Sequence, residues 1–273
     1  MVSHLDAHAG PGPGLVTYDL RRRVYVVTGA SREVGIGAAV ARRLAAAGAD
    51  LVLHAWVEYD AEQAWGGDAE AVDRLREECE GLGSRVVSVG ADLTDPSGPD
   101  RVMDAATAAF GHVDGIVVNH ARGVDATLED VTAEEIDRSF AINARSAALL
   151  VRSLAAQHDG RSGGRAILLT SGQHLGGMPG ELPYVISKGA VQQMTATLAA
   201  ELAPRGIIVN CVNPGPTDTG WAGPEDERIV RERMPQGRWG QPDDAARLIT
   251  WLLSDDGVWV TGQTIDSEGG FRR

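Results

Sequence analysis

The feature that most constrains the fold is an alternation of short apolar runs with longer helical stretches, which extends from residue 24 to residue 266. Short apolar runs bounded by turn residues are typical of buried strands, and helices between such runs are typical of βαβ units. The alternation therefore predicts an α/β fold, with one parallel sheet of about seven strands covered by helices on both faces. The predicted strands span residues 24–28, 50–54, 85–89, 115–119, 165–170, 207–212 and 263–266.

The helical stretches and the chain length of 273 residues predict one large domain. Residues 1–20 are rich in Gly, Pro, Asp and His, and they predict a flexible N-terminal arm ahead of a single domain at residues 21–273. The predicted helices span residues 38–47, 69–82, 98–110, 133–156, 184–203 and 242–253.

Residues 55–68 form a long connection after the second predicted strand, and this connection contains Trp56, Tyr59 and Trp65. Connections of this length without regular structure are usually functional or disordered. The sequence leaves two interpretations open, an aromatic flap near a ligand or a packed excursion on the surface.

The composition limits the partners and the compartment. The formal net charge of -13 argues against a nucleic-acid face and against an anionic membrane surface. No apolar run reaches about 18 residues and the N-terminus has no apolar segment, so we predict neither a membrane span nor a signal peptide. Cys79 and Cys211 lack metal-ligand spacing. We therefore predict no metal site, reduced thiols and a cytoplasmic location.

A Ser-x12-Tyr-x3-Lys pattern, formed by Ser171, Tyr184 and Lys188, predicts chemistry at a carbonyl group. Residues four apart lie on one face of a helix, so the Lys188 ammonium can approach the Tyr184 phenol. We expect this charge to lower the phenol pKa from its usual value of about 10. Ser171 follows an apolar run and can face the tyrosine from the end of a strand. Tyr-x3-Lys alone is also a common chance pattern on helices.

A glycine-rich turn, residues 28–37, follows the first predicted strand and opens a helix. Glycines allow backbone amides to approach a pyrophosphate, and a helix N-terminus favours negative charge. The turn between a strand and a helix therefore predicts a dinucleotide site.

These segments together resemble the short-chain dehydrogenase/reductase family, and the resemblance extends from residue 24 to residue 271. It implies a Rossmann-type doubly wound sheet and NAD(P)-dependent hydride transfer. Two segments depart from the family pattern. Five residues instead of three separate Gly29 from Gly35, and His120 and Arg122 stand within the segment where the family has Asn-Asn-Ala-Gly.

The resemblance also implies roles for individual residues. Tyr184 acts as general acid or base, Lys188 lowers its pKa and holds the nicotinamide ribose, and Ser171 binds the substrate oxygen. Asn143 holds a water that links Lys188 to solvent. Asp92 meets the adenine edge, and the Pro-Gly-x3-Thr segment holds the nicotinamide carboxamide. The implied cofactor-binding residues are Gly29, Ser31, Arg32, Gly35, Ile36, Gly37, His54, Asp92, Leu93, Asn119, Tyr184, Lys188, Pro214, Gly215, Thr217 and Thr219.

NADP(H) is the favoured cofactor, because no acidic residue ends the second predicted strand and Arg32 can pair with a 2'-phosphate. His54 can assist when it is protonated. Glu58, Asp60 and the lengthened turn keep NAD(H) open. If the turn swings Arg32 away, it presents Glu33 instead.

The function predicted from the resemblance is reduction of a ketone, as in 3-oxoacyl-carrier-protein reductases and their relatives. A free small-molecule ketone is as compatible with the sequence as a carrier-bound one. The family's enoyl reductases usually have Tyr-x6-Lys, unlike this chain. The alternatives are an NAD-dependent alcohol dehydrogenase of secondary metabolism and a non-catalytic binding protein on the same scaffold.

The substrate pocket is expected in residues 173–183 and 216–240, which are apolar with a few polar groups. Small residues on the helices that contain Asn143 and Tyr184 predict a homotetramer, with a dimer as the second choice. The pocket candidates are Gln173, His174, Met178, Leu182, Trp221 and Met234.

Overall fold

The protein is described by a computed structural model that covers residues 18–63 and 65–273. Its sheet has seven parallel strands in the order β3-β2-β1-β4-β5-β6-β7, which confirms the predicted α/β fold class. The strands are β1 (Val24–Thr28), β2 (Asp50–Ala55), β3 (Val86–Gly90), β4 (Gly115–Val118), β5 (Gly164–Leu169), β6 (Ile207–Asn213) and β7 (Thr264–Asp266).

Helices connect successive strands and cover both faces of the sheet, as right-handed crossovers between parallel strands require. They are α1 (Ile36–Ala46), α2 (Val57–Ala61), α3 (Ala71–Gly81), α4 (Gly98–Phe110), α5 (Ala133–Phe140), α6 (Ser146–Gln157), α7 (Leu182–Leu202), α8 (Pro224–Arg233) and α9 (Pro242–Leu253).

Two apolar cores lie on opposite faces of the sheet. One is formed by α1, α3 and α9 with side chains such as Leu44, Leu75 and Ile249, and the other by α4, α6 and α7 with side chains such as Leu150 and Val191. Strands β1, β4 and β5 are buried along their whole length, which explains why they have continuous apolar runs instead of alternating ones.

Several boundaries differ from the prediction. The single helix expected at residues 133–156 is divided into α5 and α6 by a π-helical turn, Ala141–Arg145. The connection expected to lack regular structure contains α2, and α8 was not predicted at all. Of the predicted flexible arm, residues 1–17 lie outside the described residues. Leu20 is buried in the core and donates its backbone N–H to Ala47 O at 2.9 Å, so the end of the arm belongs to the domain.

The strand order places β1 beside β4, and the chain continues from these two strands in opposite directions across the sheet. In open α/β sheets this switch point forms a crevice at the carboxyl ends of the strands, where ligands bind. Among the described residues, no helix is long and apolar enough to cross a membrane.

Candidate active site

Tyr184 and Lys188 lie one turn apart near the start of α7, as their spacing predicted. The Lys188 Nζ lies 5.8 Å from the centroid of the Tyr184 ring and donates a hydrogen bond to Leu169 O at 2.8 Å. Thr170 Oγ1 donates to Lys188 O at 2.9 Å. These bonds attach the first turns of α7 to the end of β5, which is the strand that leads to Ser171.

Tyr184 has a raised pKa, which is opposite to the expected direction. Burial raises the pKa of Tyr184 to about 12, and a hydrogen bond with Ser171 opposes this rise. Ser171 therefore does reach Tyr184 as predicted, and the phenol is held in its neutral form.

Lys188 is only 3% exposed, so its charge is separated from water. This burial lowers the pKa of Lys188 to about 8, while the nearby Cys211 has a smaller opposing effect. A buried ammonium with one backbone acceptor is costly to the fold, as is usual for groups that serve chemistry.

Asn143 lies in the π-helical turn between α5 and α6 and is 2% exposed. Its Oδ1 accepts from Arg122 N at 2.7 Å, and its Nδ2 donates to Arg122 O at 2.9 Å and to Ser187 Oγ at 2.9 Å. Asn143 thus connects the segment after β4 to α7. Single π-helical turns occur often at functional sites, and this one places Asn143 beside α7.

The glycine-rich turn and the start of α1 fit a pyrophosphate. A Cβ at Gly37 would overlap the Gly29 carbonyl oxygen, and a Cβ at Gly29 would lie 2.8 Å from the Cα of His120. Gly35 caps α1 without a side-chain hydrogen bond, and the first turn contains no acidic residue. The first backbone N–H groups of α1, including that of Ile36, are therefore available to an anion.

Asn119 connects the end of β4 to the glycine-rich turn. Its Nδ2 donates to Thr28 O at 3.1 Å and to Gly29 O at 3.0 Å. The predicted cofactor residue therefore holds the shape of the turn through its side chain.

His120, which departs from the family pattern, fills a buried polar position. Its Nδ1 lies 2.7 Å from Thr28 Oγ1, and its Nε2 lies 2.9 Å from Ile142 O and 2.7 Å from Ser146 Oγ. Burial, with smaller contributions from the neighbouring His54 and Lys188, lowers the pKa of His120 to about 3. The imidazole is therefore neutral and takes part in packing.

His54 cannot act as the protonated phosphate partner that was predicted. It is 2% exposed, its Nε2 lies 2.8 Å from Ala91 O, and burial lowers its pKa. Its Nδ1 accepts from Gly29 N at 3.5 Å, so this neutral ring contacts the backbone of the glycine-rich turn.

Arg32 and Glu33, at the tip of the lengthened turn, point in different directions. The Arg32 guanidinium donates to Thr219 O across the crevice and lies 4.3 Å from the centroid of the Trp65 ring. Burial lowers the pKa of Arg32, and Asp60 opposes this shift. Glu33 instead pairs with Arg74 of α3 at 2.5 Å. Arg32 and Glu33 therefore have separate partners on opposite sides of the turn.

Asp92 and Leu93 follow β3 in a tight turn. Asp92 accepts hydrogen bonds from Thr94 N at 2.8 Å and from Thr94 Oγ1 at 2.6 Å, and Leu93 is buried. Ser31 is half-buried in the glycine-rich turn.

The loop after β6 is folded on itself. Thr217 is buried and its Oγ1 donates to Gly215 O at 3.1 Å, while Gly215 N donates to Asn213 Oδ1 at 3.0 Å. Pro214 begins this loop, and Thr219 carries the carbonyl that accepts from Arg32.

The six predicted pocket residues divide into two groups. Met178 Sδ lies 4.0 Å from Ser171 Oγ, Leu182 begins α7, and Trp221 is 53% exposed. The other three are engaged elsewhere: Gln173 donates to Gln192 Oε1, His174 faces Asp266, and Met234 is buried.

The α2 segment contains functional candidates that sequence reasoning did not assign. The Tyr59 hydroxyl is hydrogen-bonded to the Gly123 backbone, and burial raises the pKa of Tyr59. Trp65 Nε1 donates to Asp60 at 3.0 Å, and Glu62 pairs with Arg138 of α5 at 3.0 Å. This segment therefore links the β2 side of the crevice to the β4 side. The three aromatic residues were the available signal.

Comparison with known sequences agrees with this architecture. A sequence model described as enoyl-(acyl carrier protein) reductase matches residues 29–272. The chain is 36% identical over 255 residues to the uncharacterized oxidoreductase YjdA of Bacillus subtilis, covering 93% of this chain and 98% of that protein. It is 38% identical over 265 residues to an NADPH-dependent aldehyde reductase-like protein of Arabidopsis thaliana, covering 92% and 95%.

Solved structures give the same result. The promiscuous reductase LugOII, which catalyses keto-reduction at C1 during lugdunomycin biosynthesis, superposes with a TM-score of 0.82 at 34% identity, covering 92% of this chain and 98% of that one. The angucycline C-6 ketoreductase LanV with bound NADP gives 0.83 at 31% identity, covering 93% and 97%. The chain belongs to the short-chain dehydrogenase/reductase family and is an NAD(P)-dependent oxidoreductase.

Proposed function

We propose that this oxidoreductase reduces a ketone to a secondary alcohol, and that Asn143, Ser171, Tyr184 and Lys188 form its catalytic tetrad. The observation that carries the proposal is the arrangement of Tyr184, which lies one turn before Lys188 on α7 and is hydrogen-bonded to Ser171. A neutral phenol hydrogen-bonded to a serine is suited to donate a proton to a carbonyl oxygen.

Each member of the tetrad has a distinct part in this proposal. The nicotinamide, when bound, supplies the hydride. Tyr184 donates the proton, and Ser171 donates a hydrogen bond to the same substrate oxygen, which stabilises charge that develops there. Lys188, with a pKa of about 8, is mostly protonated at neutral pH and stabilises the phenolate that remains. Asn143 fixes the Arg122 backbone, and through Ser187 it also fixes the start of α7.

Ketone reduction is favoured over two other reactions of related enzymes. Enoyl reduction is disfavoured because Tyr184 and Lys188 are four residues apart, although the matching family model is described by that activity. Alcohol oxidation with NAD is the reverse of the same chemistry, and the keto-reduction named for LugOII and LanV favours the reductive direction.

A free ketone with an apolar body is the proposed substrate class. Trp221 and Leu175 are 53% and 45% exposed, and Met178 lies beside Ser171, so the predicted pocket segments offer apolar contacts. The similarity to LugOII and LanV, which are named for keto-reduction, supports the same class.

NADP(H) is the proposed cofactor. LanV and a Burkholderia cenocepacia relative, at 31% and 32% identity, hold NADP in their structures. The β2 strand ends without an acidic residue, and Arg32 stands beside Trp65 of the segment that follows β2. Asp60 interacts with Arg32. The positive charge of the guanidinium therefore offsets the negative charge of Asp60, which would otherwise repel a 2'-phosphate.

We also propose a homotetramer in the cytoplasm. Of the small residues in the π-helical turn and on α6 and α7, Ala144, Ala147 and Ala199 are buried inside the domain, whereas Ala196 and Ala200 remain exposed for contact with another copy. The free buried thiols of Cys79 and Cys211 suit a reducing compartment. A light-scattering mass near the 28.8 kDa monomer would contradict the assembly.

The experiment that tests the function is a panel of carbonyl compounds with NADPH and NADH in parallel. We expect turnover of ketones with apolar substituents, faster with NADPH than with NADH, and little turnover of an α,β-unsaturated thioester. A protein that reduces only the unsaturated thioester would contradict the ketone proposal. A protein that binds NADPH but consumes none with any carbonyl would favour a non-catalytic binding role.

A further inference from the structure

The segment after β7, residues 267–273, lies between two loops of the candidate active site. Ser267 N donates to Asn213 O at 2.8 Å, at the end of β6, and Arg272 N donates to Arg233 O at 3.0 Å, at the end of α8. Backbone hydrogen bonds therefore hold the segment near both of its ends.

Arg273 and Glu268 form a two-bond ion pair within this segment. Arg273 Nη1 donates to Glu268 Oε1 at 2.8 Å and Nη2 donates to Oε2 at 2.7 Å. The two side chains are only 22% and 11% exposed, so this pair is much less accessible than most ion pairs on the surface. Parallel hydrogen bonds between a guanidinium and a carboxylate fix the orientation of both groups.

The Arg273 side chain packs on the loop that contains Ser171. A Cβ at Gly172, the residue after Ser171, would overlap the Arg273 guanidinium. A Cβ at Gly176 would also overlap the Arg273 side chain. Both glycines leave the space that the arginine fills, so the position of Arg273 limits where the Ser171 loop can lie.

Glu268 extends the same connection to the loop after β6. Its Oε2 accepts from Asn213 Nδ2 at 3.0 Å, and Asn213 Oδ1 accepts from Gly215 N. Gly215 has a φ of 66°, and a Cβ there would overlap the Glu268 side chain. Asp266 adds a parallel link, because it accepts from Asn213 Nδ2 and faces His174 Nε2 at 3.1 Å.

We propose that Arg273 and Glu268 are positioning residues for the reaction. Their ion pair holds the Ser171 loop against the loop that begins at Pro214, so the substrate-oxygen donor keeps a fixed position relative to the predicted nicotinamide site. The inference rests on the proposed function for its kinetic part only, because the link between the loops can be measured without turnover.

The kinetic test compares Arg273→Ala, Arg273→Lys and Glu268→Gln with Arg272→Ala, whose exposed side chain makes it a matched control. A displacement of about 1 Å at a reacting group can lower the rate by up to about a hundredfold. We expect kcat to fall about tenfold or more in Arg273→Ala, with the NADPH dissociation constant changed by less than about threefold. Arg273→Lys should recover part of kcat, because lysine keeps the positive charge but cannot make the two parallel hydrogen bonds to Glu268.

Hydrogen–deuterium exchange of the ligand-free protein tests the link independently of any substrate. We expect faster exchange in residues 171–181 and 213–219 of Arg273→Ala, with wild-type exchange in Arg272→Ala. Wild-type exchange in both loops, or a kcat within about twofold of wild type, would overturn the proposal. If exchange rises but no ketone is reduced by wild type, the proposed function fails and the link between the loops stands.

A steric variant covers the case in which Arg273→Ala is poorly folded. Gly172→Ala places a methyl group against the guanidinium, so it should accelerate exchange in the same two loops. Gly172→Ala combined with Arg273→Ala removes that clash, and its exchange should match Arg273→Ala alone. Additive effects of the two substitutions would overturn the packing argument.

Discussion

At the catalytic end of the crevice, β4, β5 and α7 hold the predicted chemical groups through bonds to the backbone. Asn143 bonds to both backbone groups of Arg122, and Lys188 bonds to Leu169 O. At the other end of the crevice, beyond β1 and β2, where we predict the adenosine of the cofactor, exposed charged side chains pair with one another, as in Glu33 with Arg74 and Glu62 with Arg138.

The difference shows where each end can vary. A side chain bonded to buried backbone has one position, so its residue type and spacing are constrained by the fold. Exposed ion pairs contribute little to stability and can be exchanged for others, so cofactor recognition can change there without loss of the fold. Variants at the catalytic end should therefore alter stability or catalysis, whereas variants at the adenosine end should alter cofactor affinity.

The larger effect is expected at the catalytic end, from Lys188→Met. The pKa of Lys188 is about 8 in the folded protein against 10.5 ordinarily, so the buried charge destabilises the fold at neutral pH. After allowing for the hydrogen bond lost at Leu169 O, we expect Lys188→Met to raise the free energy of unfolding by about 2 kcal/mol at pH 7. Denaturant titration measures this difference, and a destabilised variant at pH 7 would contradict it.

The pH dependence of that difference sharpens the comparison. Between pH 8 and pH 10.5 the unfolded chain binds the Lys188 proton more tightly than the folded protein does. Stability of the wild type therefore rises with pH through this window relative to Lys188→Met, and the advantage of the variant disappears. An advantage that stays constant from pH 7 to pH 10.5 would show that it does not come from the buried charge.

The smaller effect is expected at the adenosine end, from Arg32→Ala. A charge-assisted hydrogen bond to a 2'-phosphate contributes about tenfold or more in affinity. We expect NADPH binding to weaken by about this factor while NADH binding changes little. Calorimetric titration of both cofactors measures the losses, with Arg74→Ala on α3 as the control. Equal losses for the two cofactors would show that Arg32 does not contact the 2'-phosphate and that its role is the hydrogen bond to Thr219 O.

The sequence predicted a parallel sheet of about seven strands and their approximate positions, because apolar runs in buried parallel strands are continuous. The sequence also predicted that Ser171, Tyr184 and Lys188 lie close together. Tyr184 and Lys188 are four residues apart on one helix, and Ser171 follows a strand that ends beside that helix. The direction of the Tyr184 pKa was wrong, since burial outweighs charge there and burial depends on the whole fold. The expected protonation of His54 was wrong for the same reason.

Other features could not be predicted because they depend on contacts distant in the chain. The α2 helix is held by Gly123 and Arg138, and the π-helical turn at Asn143 interrupts a pattern that looks like one helix. Arg273 meets Gly172 only after β7 has joined the sheet. Such pairings leave no periodic pattern in the sequence.

The central claim is that Tyr184 transfers the proton, and Tyr184→Phe tests it most directly. The substitution keeps the ring and removes the hydroxyl that Ser171 contacts. In single-turnover mixing of the NADPH-loaded protein with a ketone that wild type reduces, we expect nicotinamide oxidation to slow by about 10²–10⁴, with the NADPH dissociation constant unchanged. A variant that oxidises bound NADPH at most of the wild-type rate would contradict the account.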